Sequence, residues 1–122
     1  MIVFRAMRNK SWTRSDDGRA MPAAFIRREA DPEKGKEAEK ALSFDVQSRK
    51  SCHDSQRSCF GVAEIDDGEF ESMQLTFTID EHPHASLSGM PLRSEDITAA
   101  ERCASLLAKA SKLVLPPEYL SG

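Results

Sequence analysis

Residues 59–115 read CFGVAEIDDGEFESMQLTFTIDEHPHASLSGMPLRSEDITAAERCASLLAKASKLVL, and this stretch decides the fold. In its first part apolar and polar residues alternate, which is the pattern of half-buried strands. An Asp-Gly pair at 67–68 separates two such runs and favours a β-hairpin. In its last third apolar residues recur at helical spacing, which predicts an amphipathic helix. The stretch therefore predicts an α+β unit.

The predicted hairpin joins a strand at 59–65 to a return strand at 70–80 through a turn at 66–68. Side chains along a strand point alternately to its two faces. Four alternating residues of the return strand are therefore expected to face the core: Met73, Leu75, Phe77 and Ile79. A His-Pro-His turn at 82–84 then leads into a short strand that ends at Gly89.

The predicted helix covers Ser94–Val114, with Ser94 as its N-cap and Pro116-Pro117 as its stop. Acidic residues follow the cap, where the helix dipole favours negative charge. Small residues on the apolar side would let the helix lie close to a sheet. That apolar side carries Ile97, Ala100, Ala104, Leu107, Ala110 and Val114.

The N-terminal half adds two strands, at Ile2–Met7 and Leu42–Val46. Two polar segments, 29–41 and 47–58, are predicted to be mobile loops. The whole chain, 1–122, is therefore predicted to form a single α+β domain. We expect a mostly antiparallel sheet of about four to six strands with the C-terminal helix packed on one face.

Composition limits the class of protein. The 122 residues suffice for one domain with one core. No apolar run reaches the length of a membrane span, so a membrane partner is not expected. The three cysteines form an odd number, which does not suit a disulfide scaffold. We therefore expect a cytoplasmic protein; the sequence does not indicate an oligomeric state.

Charge is distributed unevenly along the chain. Residues 1–28 hold seven basic and two acidic residues, a formal charge of +5, whereas residues 29–122 hold ten basic and eighteen acidic residues, −8. The two halves could simply attract each other or face solvent. The alternative is an anion site near the N-terminus for phosphate, a nucleotide or nucleic acid. Three residues are candidates for contact with such a ligand: Trp12, Arg27 and His84.

Cysteines and histidines between residues 52 and 84 could in principle hold zinc. However, six residues separate Cys52 from Cys59, which is wider than a zinc knuckle allows. His82 and His84 flank a turn proline, where exposed histidines are common. Solvated histidines and unrelated thiols are the simpler interpretation, so we assign no metal ligands; the sequence leaves any cofactor unknown. A thiol of Cys52 or Cys59 activated by His84 is a further possibility.

Arginine, serine and glutamate occur in one order on successive predicted strands. Arg5 lies in Phe4-Arg5-Ala6, Ser43 in Leu42-Ser43-Phe44-Asp45, and Glu64 on a later strand, with Glu69 or Glu71 as alternatives. This order resembles the strand motifs of mono-ADP-ribosyltransferases. The resemblance implies NAD as substrate and catalytic roles for Arg5, Ser43 and Glu64. The family's Ser-Thr-Ser motif is absent here. The alternative interpretation pairs Arg5 with Asp45 or Glu64 across neighbouring strands.

A second pattern extends over most of the chain: FRA, Trp12, Ala24-Phe25, LSxD, and HAxLxGxP before the helix. It resembles short uncharacterised bacterial proteins and implies no activity. Our leading hypothesis is a small cytoplasmic binding or interaction module for an unknown small molecule or protein. One alternative is a nucleotide-using transferase with an anion site near the basic N-terminus. The other is a nucleic-acid-associated accessory protein, which we do not favour.

Overall fold

A computed structural model of the chain describes residues 1–120. Within them the helices are α1 (Arg49–Asp54), α2 (Gly68–Ser72) and α3 (Ile97–Ala110). Three short 3-10 turns lie at Lys10–Thr13, Pro22–Phe25 and Pro32–Lys34. The strands are β1 (Ile2–Ala6), β2 (Leu42–Asp45), β3 (Val62–Asp66), β4 (Thr76–Glu81), β5 (His84–Ser88) and β6 (Lys112–Val114).

The strands form one antiparallel sheet in the order β4-β5-β2-β1-β3-β6. The predicted α+β class is therefore confirmed. The predicted hairpin through residues 66–68 is wrong, because β3 pairs with β1 and β6, not with β4. The observed hairpin joins β4 to β5 through the His-Pro-His turn.

Helix α2 replaces the start of the predicted return strand. Its Phe70 is buried and meets the rings of Phe44 and Phe77 at centre-to-centre distances of 5.6 and 5.3 Å. The extended segment begins only at Thr76, so Met73 and Leu75 contact the core from outside the strand. Ile79 lies on the same face as Phe77, opposite the buried Ala85, but 48% of it is exposed because β4 is an edge strand.

Helix α3 is shorter than predicted at both ends. Asp96, not Ser94, is its N-cap, and the Asp96 side chain accepts a hydrogen bond from the Ala99 N–H at 3.0 Å. The helix ends at Ala110, and Lys112–Val114 forms β6, so Pro116-Pro117 does not stop it. Its buried side is narrower than expected, because Ile97 is 53% exposed. The buried helix residues are Ala100, Ala104, Leu107 and Ala108.

The two faces of the sheet carry different layers. Helix α3, α2 and the turn Pro22–Phe25 cover one face and enclose the main core. Helix α1 covers part of the other face over a smaller cluster of Ala6, Cys52 and Val62. Segment 47–58, predicted as a loop, thus contains a helix, capped by the side chain of Ser48. Between residues 1 and 120 no helix has the length and apolar character needed to cross a bilayer.

Candidate functional site

Arg5 is the most unusual side chain of the sheet, because only 2% of it is exposed although it carries charge. Its Nε donates to the Ala24 carbonyl at 2.6 Å, and its Nη1 donates to the Ser43 carbonyl at 2.9 Å. Its Nη2 is buried without a hydrogen-bond partner among the described residues. The expected pairing of Arg5 with Asp45 or Glu64 is therefore wrong.

Burial shifts the ionisation of Arg5 without removing its charge. Loss of solvation, followed by the proximity of Arg8, lowers its pKa from 12.5 to about 10. The guanidinium therefore stays cationic at neutral pH. Its carbon atom lies 5.8 Å from the centre of the Trp12 ring and 6.0 Å from that of Phe44, which is within cation–π range.

The strand pairing explains how a guanidinium fits here. Strands β1 and β2 pair at one position, where Phe4 lies opposite Asp45, whereas β1 and β3 pair along all five residues of each. The Ser43 carbonyl can therefore accept from the Arg5 side chain. Beside this short pairing lies a cavity of about 190 Å³, which we call the slot. Its lining includes Arg5, Arg8, Ser43, Asp45, Cys52, Ser55, Gln56 and His84.

The structure thus brings three predicted site residues, Arg5, Ser43 and His84, to one slot and leaves Glu64 outside it. Glu64 lies on β3 and forms a two-fold hydrogen-bonded ion pair with Arg49 of α1. This hydrogen bond raises the pKa of Arg49. The alternative candidates do not replace Glu64, because Glu69 and Glu71 are exposed on α2.

Asp45 is the only carboxylate among the slot's lining residues, and its oxygens are already occupied. One oxygen accepts from the N–H groups of Gln47 and Ser48 at 2.7 and 3.2 Å. The other accepts from the Ser51 hydroxyl at 2.7 Å. Asp45 is buried beneath α1 and holds the start of that helix in place.

The thiols show no sign of activation. Burial, together with nearby Asp45, raises the pKa of Cys52, so this thiol stays protonated at neutral pH. The Cys59 thiol donates to the Gly61 carbonyl. Within residues 1–120 no three His, Cys, Asp or Glu side chains are grouped as metal ligands. His84 instead lies 2.6 Å from Asp80 through its Nδ1.

A second, wider cavity of about 570 Å³ lies beyond Trp12, and we call it the arginine groove. Trp12 is on the 3-10 turn Lys10–Thr13, and its carbonyl accepts from the Met21 N–H at 2.9 Å. This bond ties the turn to the following one, which leads directly to Ile26 and Arg27. The groove is lined by four arginines and two glutamates: Arg8, Arg27, Arg28, Arg93, Glu29 and Glu39.

Glu39 organises these arginines. Its carboxylate accepts from the Arg28 backbone N–H at 2.6 Å and lies 3.6 Å from Arg8 Nη2. Its carbonyl accepts from Arg27 Nε at 2.8 Å, and Arg27 Nη1 donates to the Met90 carbonyl at 2.8 Å. Arg27 is therefore fixed by backbone carbonyls, whereas Arg8 and Arg28 remain exposed. The Arg8 guanidinium lies 5.9 Å from the Trp12 ring centre.

Of the three predicted ligand contacts, Trp12 and Arg27 lie in the groove and His84 in the slot. Sequence reasoning did not single out Arg8, Arg28 or Arg93. The charge of residues 1–28 could have indicated the first two, but Arg93 had no local signal. No protein-family model, curated protein or solved structure matches this chain.

Proposed function

We propose that this protein is a non-catalytic binding module for a small phosphate-bearing ligand with an aromatic ring, such as a nucleotide, held in the arginine groove. The observation that carries the proposal is the placement of four arginines and the Trp12 ring around one groove. A guanidinium presents a planar fork of donors that matches phosphate oxygens. An indole ring offers a face on which a base can stack.

The structural arginines leave donors free. Arg27 uses Nε and Nη1 for carbonyls and lies 3.6 Å from Glu95, and Arg93 Nη2 donates to Glu101 at 2.9 Å. Since a guanidinium has five N–H groups in total, each of the two keeps further donors. Arg28 donates from Nη1 to the Glu29 carbonyl, and its side chain is otherwise open to solvent. A volume of about 570 Å³ also lies within the range of roughly 300–1,000 Å³ that is usual for small-molecule sites.

The test uses Trp12, the only tryptophan in the chain, as a fluorescent reporter. Titration with ADP at constant ionic strength should change its emission, and tripolyphosphate and adenosine should each bind more weakly than ADP. Arg28→Gln should weaken ADP binding about tenfold, because it removes a charge-assisted hydrogen bond to phosphate. The matched control is Arg57→Gln, which removes an exposed arginine that lines neither cavity.

Two results would contradict this proposal. One is the absence of ADP binding at low salt. The other is equal weakening by Arg28→Gln and Arg57→Gln, which would indicate only a general attraction between charges. If duplex DNA binds instead, with an affinity that falls steeply with salt, the accessory-protein hypothesis takes its place.

The transferase hypothesis remains a second proposal, supported by the shared slot of Arg5, Ser43 and His84. The ion pair of Glu64 with Arg49 counts against it, since the resemblance assigns the catalytic carboxylate to Glu64. Release of nicotinamide from NAD, lost in Glu64→Gln, would support it. We also propose a cytoplasmic location, because the three cysteines are free thiols.

A further inference from the structure

The slot between β1 and β2 shares Arg8 with the arginine groove but is otherwise lined by different residues. A site in the slot does not depend on the function proposed for the groove. The wall of the slot contains Arg5, whose side chain is almost completely buried. Buried charges in proteins are ordinarily paired, because an ion loses its hydration when it leaves water. No carboxylate of residues 1–120 lies within ion-pair distance of Arg5.

Two backbone carbonyls fix the plane of this guanidinium but do not neutralise it. Ala24 and Ser43 accept from Nε and Nη1, and this leaves one N–H on Nη1 and both on Nη2. Nη2 is the buried side-chain polar atom without a partner in the described part of the chain. An oriented, unneutralised donor of this kind is suited to one negative oxygen ligand.

The lining of the slot carries further polar groups. Arg8, which is ion-paired with Glu39, also lines the slot. The Gln56 amide keeps one N–H beyond its bond to Ser55, and His84 keeps its second ring nitrogen, whereas the Ser55 hydroxyl already donates to the Cys52 carbonyl. The negative charge of Asp45 is directed towards three donors at the start of α1. The arginine side of the slot is therefore the favourable side for an anion.

The size of the slot limits what it can hold. The slot has a volume of about 190 Å³. It is smaller than the roughly 300 Å³ at which sites for drug-sized ligands begin. A nucleotide therefore does not fit, whereas a compact oxyanion does.

We propose that the slot binds a compact oxyanion, inorganic phosphate or a short carboxylate, with the Arg5 guanidinium as its anchor and Arg8 beside it. The anion places a negative charge beside the Arg5 guanidinium, which has no carboxylate partner among the described residues. The same guanidinium lies over the Trp12 ring, which lines the arginine groove, so Arg5 connects the slot to the groove.

The experiment measures thermal unfolding of the full chain in phosphate, acetate or chloride at equal ionic strength. A ligand that prefers the native state raises the melting temperature progressively with its concentration. We expect such a rise with phosphate or acetate and not with chloride; the more effective anion identifies the preferred oxyanion. Gln56→Glu adds a negative charge to the slot and should weaken the effect about tenfold in concentration.

Gln74→Glu is the matched control, because it adds the same charge at a residue outside the slot, and it should leave the effect unchanged. Arg5→Lys keeps the charge but loses the planar fork, and should also weaken the effect. Arg28→Gln tests the groove alone. The proposal is overturned if neither anion stabilises the chain, or if Arg28→Gln abolishes the effect while Gln56→Glu preserves it.

Discussion

At the scale of single residues, some buried or half-buried charged groups have charged or hydrogen-bonding partners for all their polar atoms, and one does not. Glu64 and Asp45 satisfy their oxygens within the fold, with Arg49 and with the start of α1. Arg5 does not, although it is the most deeply buried charge. A group that only stabilised the fold would be expected to find a carboxylate partner, and this contrast supports the proposal that Arg5 anchors an anion.

Asp80 provides a prediction about pH at this scale. The Ser86 hydroxyl and then His84 hydrogen bond to its carboxylate and lower its pKa from 3.8 to about 2. A depressed folded-state pKa contributes stability above the unfolded pKa and loses it as pH falls towards the folded value. Asp80→Asn should therefore lower the melting temperature at about pH 5, and its difference from the parent chain should shrink near pH 2.

Melting curves of both chains between these pH values provide the measurement. Asp16→Asn is the control, because this exposed carboxylate accepts no hydrogen bond within the described residues. A difference caused by Asp80→Asn that stays constant from pH 5 to pH 2 would show that ionisation of Asp80 has no part in stability.

At the scale of elements, burial decides how α3 stabilises the protein. Leu107 has no exposed surface, whereas its neighbour Leu106 is 44% exposed. The spacing of apolar residues identified Leu107 from the sequence, but it could not show that the helix ends at Ala110. That end depends on the pairing of Lys112–Val114 with β3, which is a contact distant in sequence.

Leu107→Ala should lower the free energy of unfolding by about 2–5 kcal/mol, because it removes buried methyl groups and leaves a cavity. Leu106→Ala makes the same chemical change at an exposed site and should change stability by less than about 1 kcal/mol. Urea denaturation of the two variants gives both values. Similar losses in the two variants would disprove the orientation of α3.

At the scale of the whole molecule, local patterns predicted the elements better than their partners. Alternation located β1, β2 and β5 to within a residue or so, and it identified the fold class. The Asp67-Gly68 pair was misleading because such a pair also suits the start of a short helix. In that helix Phe70 packs into the core against the rings of Phe44 and Phe77. Burial across the sheet decides which strands pair. The residues next to a strand in sequence do not encode this burial.

The candidate sites follow the same rule. The surroundings of Arg5 come from segments near residues 12, 24 and 43, so its isolation from carboxylates was not visible in the sequence. The basic N-terminal segment supplies three of the four arginines that line the groove, Arg8, Arg27 and Arg28. A site assembled from distant carbonyls and one short strand pairing becomes recognisable only in the folded structure.

The strand order predicts a gradient of backbone protection. β1 and β3 lie inside the sheet, with neighbours on both sides, whereas β4 is an edge strand with β5 on one side only. Five of its six residues are exposed. Hydrogen exchange measured by NMR should therefore show the slowest amides in β1 and β3. Amides of β4 that point away from β5 should exchange fastest among the strands, because water reaches them directly. A β3–β4 hairpin, as the sequence favours, would protect both strands alike, so equal protection of Ile65 and Phe77 would contradict this topology.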